Sequence, residues 1–166
     1  MTKYYGENGT KLKVGRSTPD LAYGVSGGNL QTLAKDNYSV VAGVNDTDQV
    51  FLGSIRSDAY LDYDLSKITF DDMGTSITVD IGAEATVPAI AQALNGNTIA
   101  LLADNIDVAT AAGTAFLLAS VAANKKHLPL WKQLNLDYDP RCEIDLWLTF
   151  AGNPGTGNLN WKFVGS

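Results

Sequence analysis

Two stretches near the end of the chain alternate apolar and polar residues, the pattern of a β-strand with one buried face. The first spans residues 142–150 and the second spans 159–163. Between them, residues 151–157 are rich in Gly, Asn and Pro, which favour tight turns. The pattern predicts a closing β-hairpin within a β-sandwich. Its first strand is predicted to bury Ile144, Leu146, Leu148 and Phe150, opposite Glu143, Asp145 and Thr149.

Earlier segments show the same alternation and are separated by turn residues. The predicted strands span residues 30–35, 49–55, 59–70 and 76–82. In the third of them, Leu61, Tyr63 and Leu65 are predicted to share the buried face. The sequence Asp-Asp-Met-Gly at 71–74 is predicted to be the turn of a hairpin between the third and fourth strands.

Four later segments have a different character. Residues 87–94 are rich in alanine, with proline near the start, and predict a short helix. Residues 99–103 fit a strand. Residues 109–123 are apolar enough for either a buried helix or strands, and Gly113 and Thr114 favour strands. Residues 129–134 begin with proline and predict a second short helix.

The composition indicates one globular domain of the all-β class. Of 166 residues, 45% are hydrophobic and 18% are charged, which is enough for a hydrophobic core. The 16 glycines imply many turns between short segments. Residues 1–20 have no sustained period and are predicted to form an extended N-terminal arm. Residues 21–166 are predicted to form a single β-sandwich domain.

Charge is distributed unevenly along the chain. The formal net charge of −6 disfavours nucleic acid and anionic membranes as partners. In the first 18 residues, however, a single acidic residue accompanies four basic ones: Lys3, Lys11, Lys13 and Arg16. The rest of the chain carries 8 basic and 17 acidic residues. We therefore predict that a basic arm, with Tyr4 and Tyr5 as anchors, becomes ordered on a partner. The alternative is a frayed terminus without a binding role.

The single cysteine, Cys142, cannot form an internal disulfide and fits assembly in a reducing cytoplasm. The first residues lack the apolar run of a signal peptide, and no stretch of about 18 apolar residues would span a membrane. We expect a soluble protein that is not exported by the usual signal route.

No cluster of catalytic residues stands out, and we predict no catalytic site. His127 is the only histidine, which excludes a histidine-based zinc cluster, and a structural role is the favoured interpretation. Cys142 fits a small, partly buried apolar residue better than a nucleophile. We predict no metal site, because the acidic residues do not have calcium-loop spacing. These residues are Asp58, Asp62, Asp64, Asp71, Asp72, Asp80 and Glu84. We also predict no cofactor.

The tryptophans Trp131, Trp147 and Trp161 are the candidate interface aromatics. Trp147 and Trp161 lie on neighbouring strands of the predicted hairpin. The favoured interpretation is that they fill the core or the space between subunits. The alternative is a stacking platform for sugars, which requires that the rings be exposed on one open face.

Several short motifs occur in a characteristic order: Val-Phe-Leu-Gly at 50–53, Ala-Tyr-Leu at 59–61, the strand at 74–82, Leu-Trp-Lys-Gln-Leu at 130–134, Asp-Pro at 139–140, and strands at 143–150 and 157–164. In this order the chain resembles small accessory virion proteins of tailed bacteriophages, of the capsid decoration, cement or head-fibre type. The resemblance covers residues 49–164.

The resemblance implies a jelly-roll-like antiparallel β-sandwich that binds the outer surface of the capsid, cements the head and has no enzymatic activity. It implies the major capsid protein as partner, a homo-oligomer with a trimer favoured over a dimer, and a place on the virion after assembly in the host cytoplasm. The arm, with Lys3, Tyr4, Tyr5, Lys11, Lys13 and Arg16, would contact the shell or a neighbouring subunit.

Three alternatives stay open. Within a virion, the chain could belong to the neck, the tail or the base of a head fibre. Outside virions, it could be a carbohydrate-binding β-sandwich module built around Trp147 and Trp161. The least favoured alternative is a hydrolase that uses Asp62, Asp64 or His127.

Overall fold

The computed structural model describes residues 1–6, 30–84, 102–109 and 111–166. Regular structure in these ranges consists of β-strands and one short helix. The strands are β1 (Lys3–Tyr5), β2 (Gln31–Val40), β3 (Gln49–Arg56), β4 (Lys67–Phe70), β5 (Thr78–Glu84), β6 (Ala103–Asp107), β7 (Gly113–Phe116), β8 (Glu143–Ala151) and β9 (Gly157–Gly165). The helix is α1 (Leu130–Gln133). The predicted all-β class and the predicted short helix near residue 130 are confirmed.

The strands form two sheets, with the orders β1-β3-β8-β5-β6 and β2-β9-β4-β7. The pairings are antiparallel except that of β1 with β3. The pairs β2 with β9, β3 with β8, β4 with β7 and β5 with β6 are nested along the chain. An antiparallel ribbon wrapped into two sheets in this way is a jelly roll. The predicted jelly-roll sandwich is therefore confirmed.

The hydrophobic core lies between the two sheets. Both sheets contribute large, fully buried side chains to it, among them Leu52, Ile81 and Phe150 from one sheet and Ile68 and Phe163 from the other. Burying a side chain of this size contributes about 1.5–3 kcal/mol to folding. Neither sheet could bury its apolar face alone, so the two sheets stabilise each other.

The two predicted hairpins are wrong, although their strands exist. β8 and β9 lie in different sheets, and so do β4 and β5. β8 instead pairs with β3 and β5, and β9 pairs with β2 and β4. A cluster of turn residues specifies that the chain reverses, but it does not specify whether the next strand joins the same sheet or the opposite one. That choice depends on burying both apolar faces in one core.

The predicted alternation in β8 is wrong for its polar face. Asp145 and Thr149 are buried, as is Trp147 between them. The reason is the position of β8 between β3 and β5, where neighbouring side chains shield the outer face as well. Ser54 donates a hydrogen bond to the carboxylate of Asp145 at 2.5 Å, and Gln49 donates one to the hydroxyl of Thr149 at 3.0 Å.

The predicted strand over 59–70 is regular only from Lys67 onwards. Tyr60 and Leu61 form isolated bridges with Pro129 and Gly165. Leu61 is buried as predicted, but Leu65 is 43% exposed because this segment turns before β4 begins. Among the described residues of 109–123, Gly113–Phe116 form a strand and the others do not. The predicted helix at 87–94 lies outside the described residues. Of the predicted strand at 99–103, residues 102 and 103 are described, and Ala103 is the first residue of β6.

β3 contains a bulge that brings it close to β2. Its pairing with β8 shifts between Phe51 and Gly53, and Gly53 has a φ of 143°. A Cβ atom at this position would lie 2.7 Å from the Cβ of Ala34 in β2. Glycine is therefore required both for the backbone conformation and for the close approach of the two sheets.

No helix in the described ranges is long and apolar enough to cross a membrane.

Candidate functional site

The two ends of the sandwich differ in their connections. Short connections between β2 and β3, β4 and β5, β6 and β7, and β8 and β9 meet at one end, which we call the tight end. The amide of Asp46 donates a hydrogen bond to the side chain of Asn153 at 2.8 Å, and the amide of Gly152 donates one to the carboxylate of Asp46 at 2.9 Å. These reciprocal hydrogen bonds join the connection between β2 and β3 to the connection between β8 and β9.

The opposite end, which we call the aromatic end, carries the longer connections 57–66 and 117–142 and the last residues of the chain. Among the described residues, most large apolar side chains that are exposed belong to this end: Leu30, Tyr60, Leu65, Phe116 and Tyr138. Tyr60 is 50% exposed and Tyr138 is 57% exposed. Exposed apolar groups that gather in one region of a surface are typical of a binding surface.

A stack of two rings, with a lysine ammonium near each ring, holds the aromatic end together. The Lys126 ammonium lies 3.3 Å from the centre of the Tyr63 ring, which stacks on Phe116 at 5.0 Å. The Lys67 ammonium lies 5.2 Å from the Phe116 ring centre. Each cation is attracted by the electron-rich face of its ring. The stack therefore joins both long connections to β4 and β7, and it gives this surface a defined shape.

Two open depressions adjoin one another at the aromatic end, with volumes of about 340 and 590 Å³. They share Leu128, Trp131 and Lys132 in their walls. The Lys132 ammonium lies 4.9 Å from the Trp131 ring centre. The second depression is also lined by Tyr60. Their shallow, open form suits contact with a protein surface better than enclosure of a small molecule.

The two ends also differ in charge. The segments 56–67 and 116–143 of the aromatic end contain equal numbers of basic and acidic residues: Arg56, Lys67, Lys125, Lys126, Lys132 and Arg141, with Asp58, Asp62, Asp64, Asp137, Asp139 and Glu143. The segments 41–48, 71–77, 107–113 and 151–157 of the tight end contain only acidic charges: Asp46, Asp48, Asp71, Asp72 and Asp107. Over these segments, the aromatic end therefore has balanced charge and the tight end has a net negative charge.

The N-terminal segment forms a second distinctive feature. β1 pairs in parallel with residues 49–51 at the edge of β3. The amide of Thr2 donates a hydrogen bond to the carboxylate of Asp48 at 2.5 Å, and the amide of Gln49 donates one to the carbonyl of Thr2 at 2.8 Å. The Tyr4 hydroxyl donates to the other Asp48 oxygen at 3.3 Å. Asp48 thus fixes the start of the chain through both of its oxygens.

Aromatic rings hold the rest of this segment. Tyr5 packs against Phe51 and Trp147 with ring centres 5.7 and 5.8 Å apart, and the Lys3 ammonium lies 4.7 Å from the Trp147 ring centre. On the other side of the strand, Tyr4 contacts Tyr38 of β2 at 5.5 Å. The segment therefore closes the side of the sandwich where β3 and β2 are neighbours.

The buried setting changes the titration of this cluster. Burial by itself would raise the pKa of Asp48, but hydrogen bonds from the amides of Thr2 and Asn45 and from Tyr4 hold it below its ordinary value. Burial, together with the nearby Tyr4 and Asp48, raises the pKa of Tyr38 to about 12. The cluster therefore favours a charged Asp48 beside neutral tyrosines.

The predicted arm residues have different positions. Lys3, Tyr4 and Tyr5 are extended as predicted, but they pack on the body of the same chain and so do not form a free arm. Lys11, Lys13 and Arg16, and the predicted boundary at residue 20, lie outside the described residues. The anchoring residues that sequence analysis missed are Asp48 and Tyr38. A turn-rich stretch around Asp48 gave no indication that its carboxylate would be buried.

The structure separates two of the predicted interface aromatics. Trp147 and Trp161 are each 3% exposed and lie in different sheets, so the predicted neighbouring strands are wrong. Trp161 belongs to the core and donates a hydrogen bond to the carbonyl of Leu52 at 2.7 Å. The sugar platform built on these two rings lacks the exposed faces that it requires. Trp131 is partly exposed and stays a candidate for an interface.

The side chains considered for catalysis have structural surroundings. Burial, with the charges of Asp139 and Glu143, raises the pKa of the Cys142 thiol, which disfavours the reactive thiolate. Asp62 accepts a hydrogen bond from the amide of Leu65 and serves a turn. Among the described residues, no group of three or more His, Cys, Asp or Glu side chains is placed to hold a metal ion.

The sequence matches no protein-family model and no curated protein. The fold, however, is similar to that of a chain in the solved structure of the cyanophage Pam1 capsid asymmetric unit. The TM-score is 0.54 at 11% sequence identity, and the similarity covers 93% of this chain and 94% of the other. At this identity the comparison shows a shared jelly-roll fold extending over nearly the whole length of both chains.

Proposed function

We propose that this chain is a non-enzymatic structural protein of a tailed-bacteriophage virion, which binds the outer surface of the capsid and stabilises the head. The observation that carries the proposal is the end-to-end similarity of its fold to a chain from a cyanophage capsid asymmetric unit. Jelly rolls also occur in lectins and cupins, so the fold alone is insufficient. The surface of the aromatic end supports a role in binding another protein.

The binding surface proposed is the aromatic end, and its proposed partner is the major capsid protein. Exposed rings at Tyr60 and Tyr138 and the partly exposed Trp131 offer apolar area to a protein partner. Because this end carries balanced charge, it approaches another protein with less repulsion than the acidic tight end. The acidic end would face the solvent and keep particles apart.

A capsid partner also explains why shallow contacts would be enough for stable binding. A shell repeats the same site many times, and an oligomer that binds several sites together gains affinity through effective concentration. We propose a homo-oligomer for this reason, with a trimer favoured over a dimer. Open depressions around Trp131 would then act as one of several modest contacts.

Cryo-electron microscopy of purified particles of the phage that encodes this chain tests the proposal. We expect density that fits the jelly roll at repeated positions on the outer shell, with the aromatic end towards the capsid. Density confined to the portal, neck or tail would instead support the alternative placement within the virion. Absence of the chain from purified particles, checked by mass spectrometry of the same sample, would contradict a virion role.

A further inference from the structure

The edge of β3 forms a recognition site for the first residues of the chain. We define the acceptor groove as the edge at 49–51 together with Asp48, Tyr38, Phe51 and Trp147. We infer that this groove exchanges strands between copies: residues 2–6 of a second copy of this chain bind in it as they do within one chain. The inference concerns self-association of the chain and stands whether or not the virion role is correct.

The polar part of the groove recognises an extended backbone. Asp48 accepts hydrogen bonds from the amide of Thr2 and the hydroxyl of Tyr4, while the amide of Asn45 donates to the same carboxylate at 3.1 Å. Asn45 therefore holds the carboxylate in place independently of the strand that it binds. Hydrogen bonds to an ionised and buried acceptor are stronger than those between neutral groups. The groove is thus formed by the body of the chain in advance.

The apolar part of the groove recognises particular side chains. Tyr5 lies against the paired rings of Phe51 and Trp147, whose centres are 5.2 Å apart. Gly6 follows at a point where there is no room for a side chain, since a Cβ atom would lie 2.6 Å from the carbonyl oxygen of Asn37. The groove therefore selects an aromatic residue followed by glycine, which is the sequence of this chain's own N-terminus.

We assign the groove to a second copy because it fits this chain's own residues 2–6, and because β1 and the strands that it contacts are far apart in sequence. Residues 7–29 separate Gly6 from β2, and among the described residues the contacts of β1 include residues of β2, β3 and β8. An identical copy presents identical donors and rings at an edge strand, the usual template for strand addition. Exchange of an identical element leaves the contacts unchanged, so it costs little and links subunits.

Disulfide trapping in the full chain tests the inference. Lys3 and Gln49 are paired in the register of β1 and β3, so cysteines at these positions come within bonding reach. In a Cys142→Ser background, the single variants Lys3→Cys and Gln49→Cys are co-expressed and oxidised. We expect a linked heterodimer, enriched about tenfold or more over a matched control in which Lys3→Cys is paired with Thr69→Cys on the exposed face of β4.

Two results would overturn the inference. One is a heterodimer yield no higher than in the control, while the double variant Lys3→Cys/Gln49→Cys closes its disulfide within one chain. The other comes from a measurement on the unmodified protein, which does not depend on whether the cysteine variants fold. A fluorescent peptide of residues 1–6 should bind the wild-type chain saturably, and about tenfold more weakly to Asp48→Asn. Lack of saturable binding to the wild type contradicts exchange.

Discussion

The backbone amide of Thr2 donates a hydrogen bond to the carboxylate of Asp48, which is only 3% exposed, across 2.5 Å. This contact joins the second residue of the chain to the start of β3 and fixes the register of the parallel pair β1–β3. Parallel pairing requires a long connection, so a local turn cannot set that register. A side chain in the body sets it instead.

Replacing Asp48 by Asn should release the N-terminal strand. The amide nitrogen of the new side chain would face donors where an acceptor is required, and the charge that strengthens these hydrogen bonds is lost. We expect a loss of about 1–3 kcal/mol in the free energy of unfolding, measured by urea denaturation. Hydrogen exchange at residues 2–6 should become faster. Asp64→Asn, at an exposed position, is the matched control, and an equal loss there would contradict a specific role for Asp48.

The same carboxylate predicts how stability depends on acid. Because the folded pKa of Asp48 is lower than its unfolded value, its contribution is fully present above the unfolded pKa of about 3.9 and is lost as pH falls through the folded pKa. The difference in unfolding free energy between the wild type and Asp48→Asn should therefore be constant near neutral pH and shrink below about pH 4. A difference that stays constant down to pH 2 would exclude this contribution.

Gly6→Ala should displace the end of β1 without disturbing the core. The added Cβ atom would lie 2.6 Å from the carbonyl oxygen of Asn37, and a backbone atom cannot move away as easily as a side chain. We expect faster proteolysis near the N-terminus and weaker contact of the Tyr4 ring with Tyr38, seen as changed aromatic NMR shifts. Chemical shifts of core residues should stay unchanged. Unchanged proteolysis would show that the strand tolerates a side chain here.

Trp161→Phe should destabilise the fold more than Trp147→Phe, although both tryptophans are 3% exposed. Trp161 donates to the carbonyl of Leu52, so its replacement leaves a buried acceptor without that partner and also a cavity. The indole nitrogen of Trp147 has no hydrogen-bond partner among the described residues. We expect a difference of about 1–2 kcal/mol by thermal or urea unfolding. Equal losses would assign no stabilising role to the Trp161 hydrogen bond.

Variants at the aromatic end test the proposed surface for capsid binding. The double variant Tyr60→Ser/Tyr138→Ser removes two rings that are about half exposed, so folding should change little, whereas binding to purified particles should weaken about tenfold or more. Val41→Ser, at a position 57% exposed on the tight end, is the matched control. Co-sedimentation with particles measures binding. If only the control weakened it, the tight end would be the contact surface instead.

Sequence analysis predicted the strand content well because alternation is a local property. The segments at 49–55, 143–150 and 157–164 correspond closely to β3, β8 and β9. It failed for Leu65 and Asp145, because exposure at these positions depends on neighbouring segments. Leu65 lies in a turn that faces solvent, and Asp145 lies under the hydroxyl of Ser54 in the adjacent strand.

The candidate site was less predictable from sequence than the fold. The alternation at 49–55, 142–150 and 159–163 by itself determined that the chain forms strands with an apolar face, since period two is inherent in extended backbone. Only the tertiary structure decided which strands share a sheet, that Tyr60 and Tyr138 gather at one end, and that Asp48 is buried where Thr2 arrives. These are contacts between residues distant in sequence, and they form because two apolar faces must close over one core.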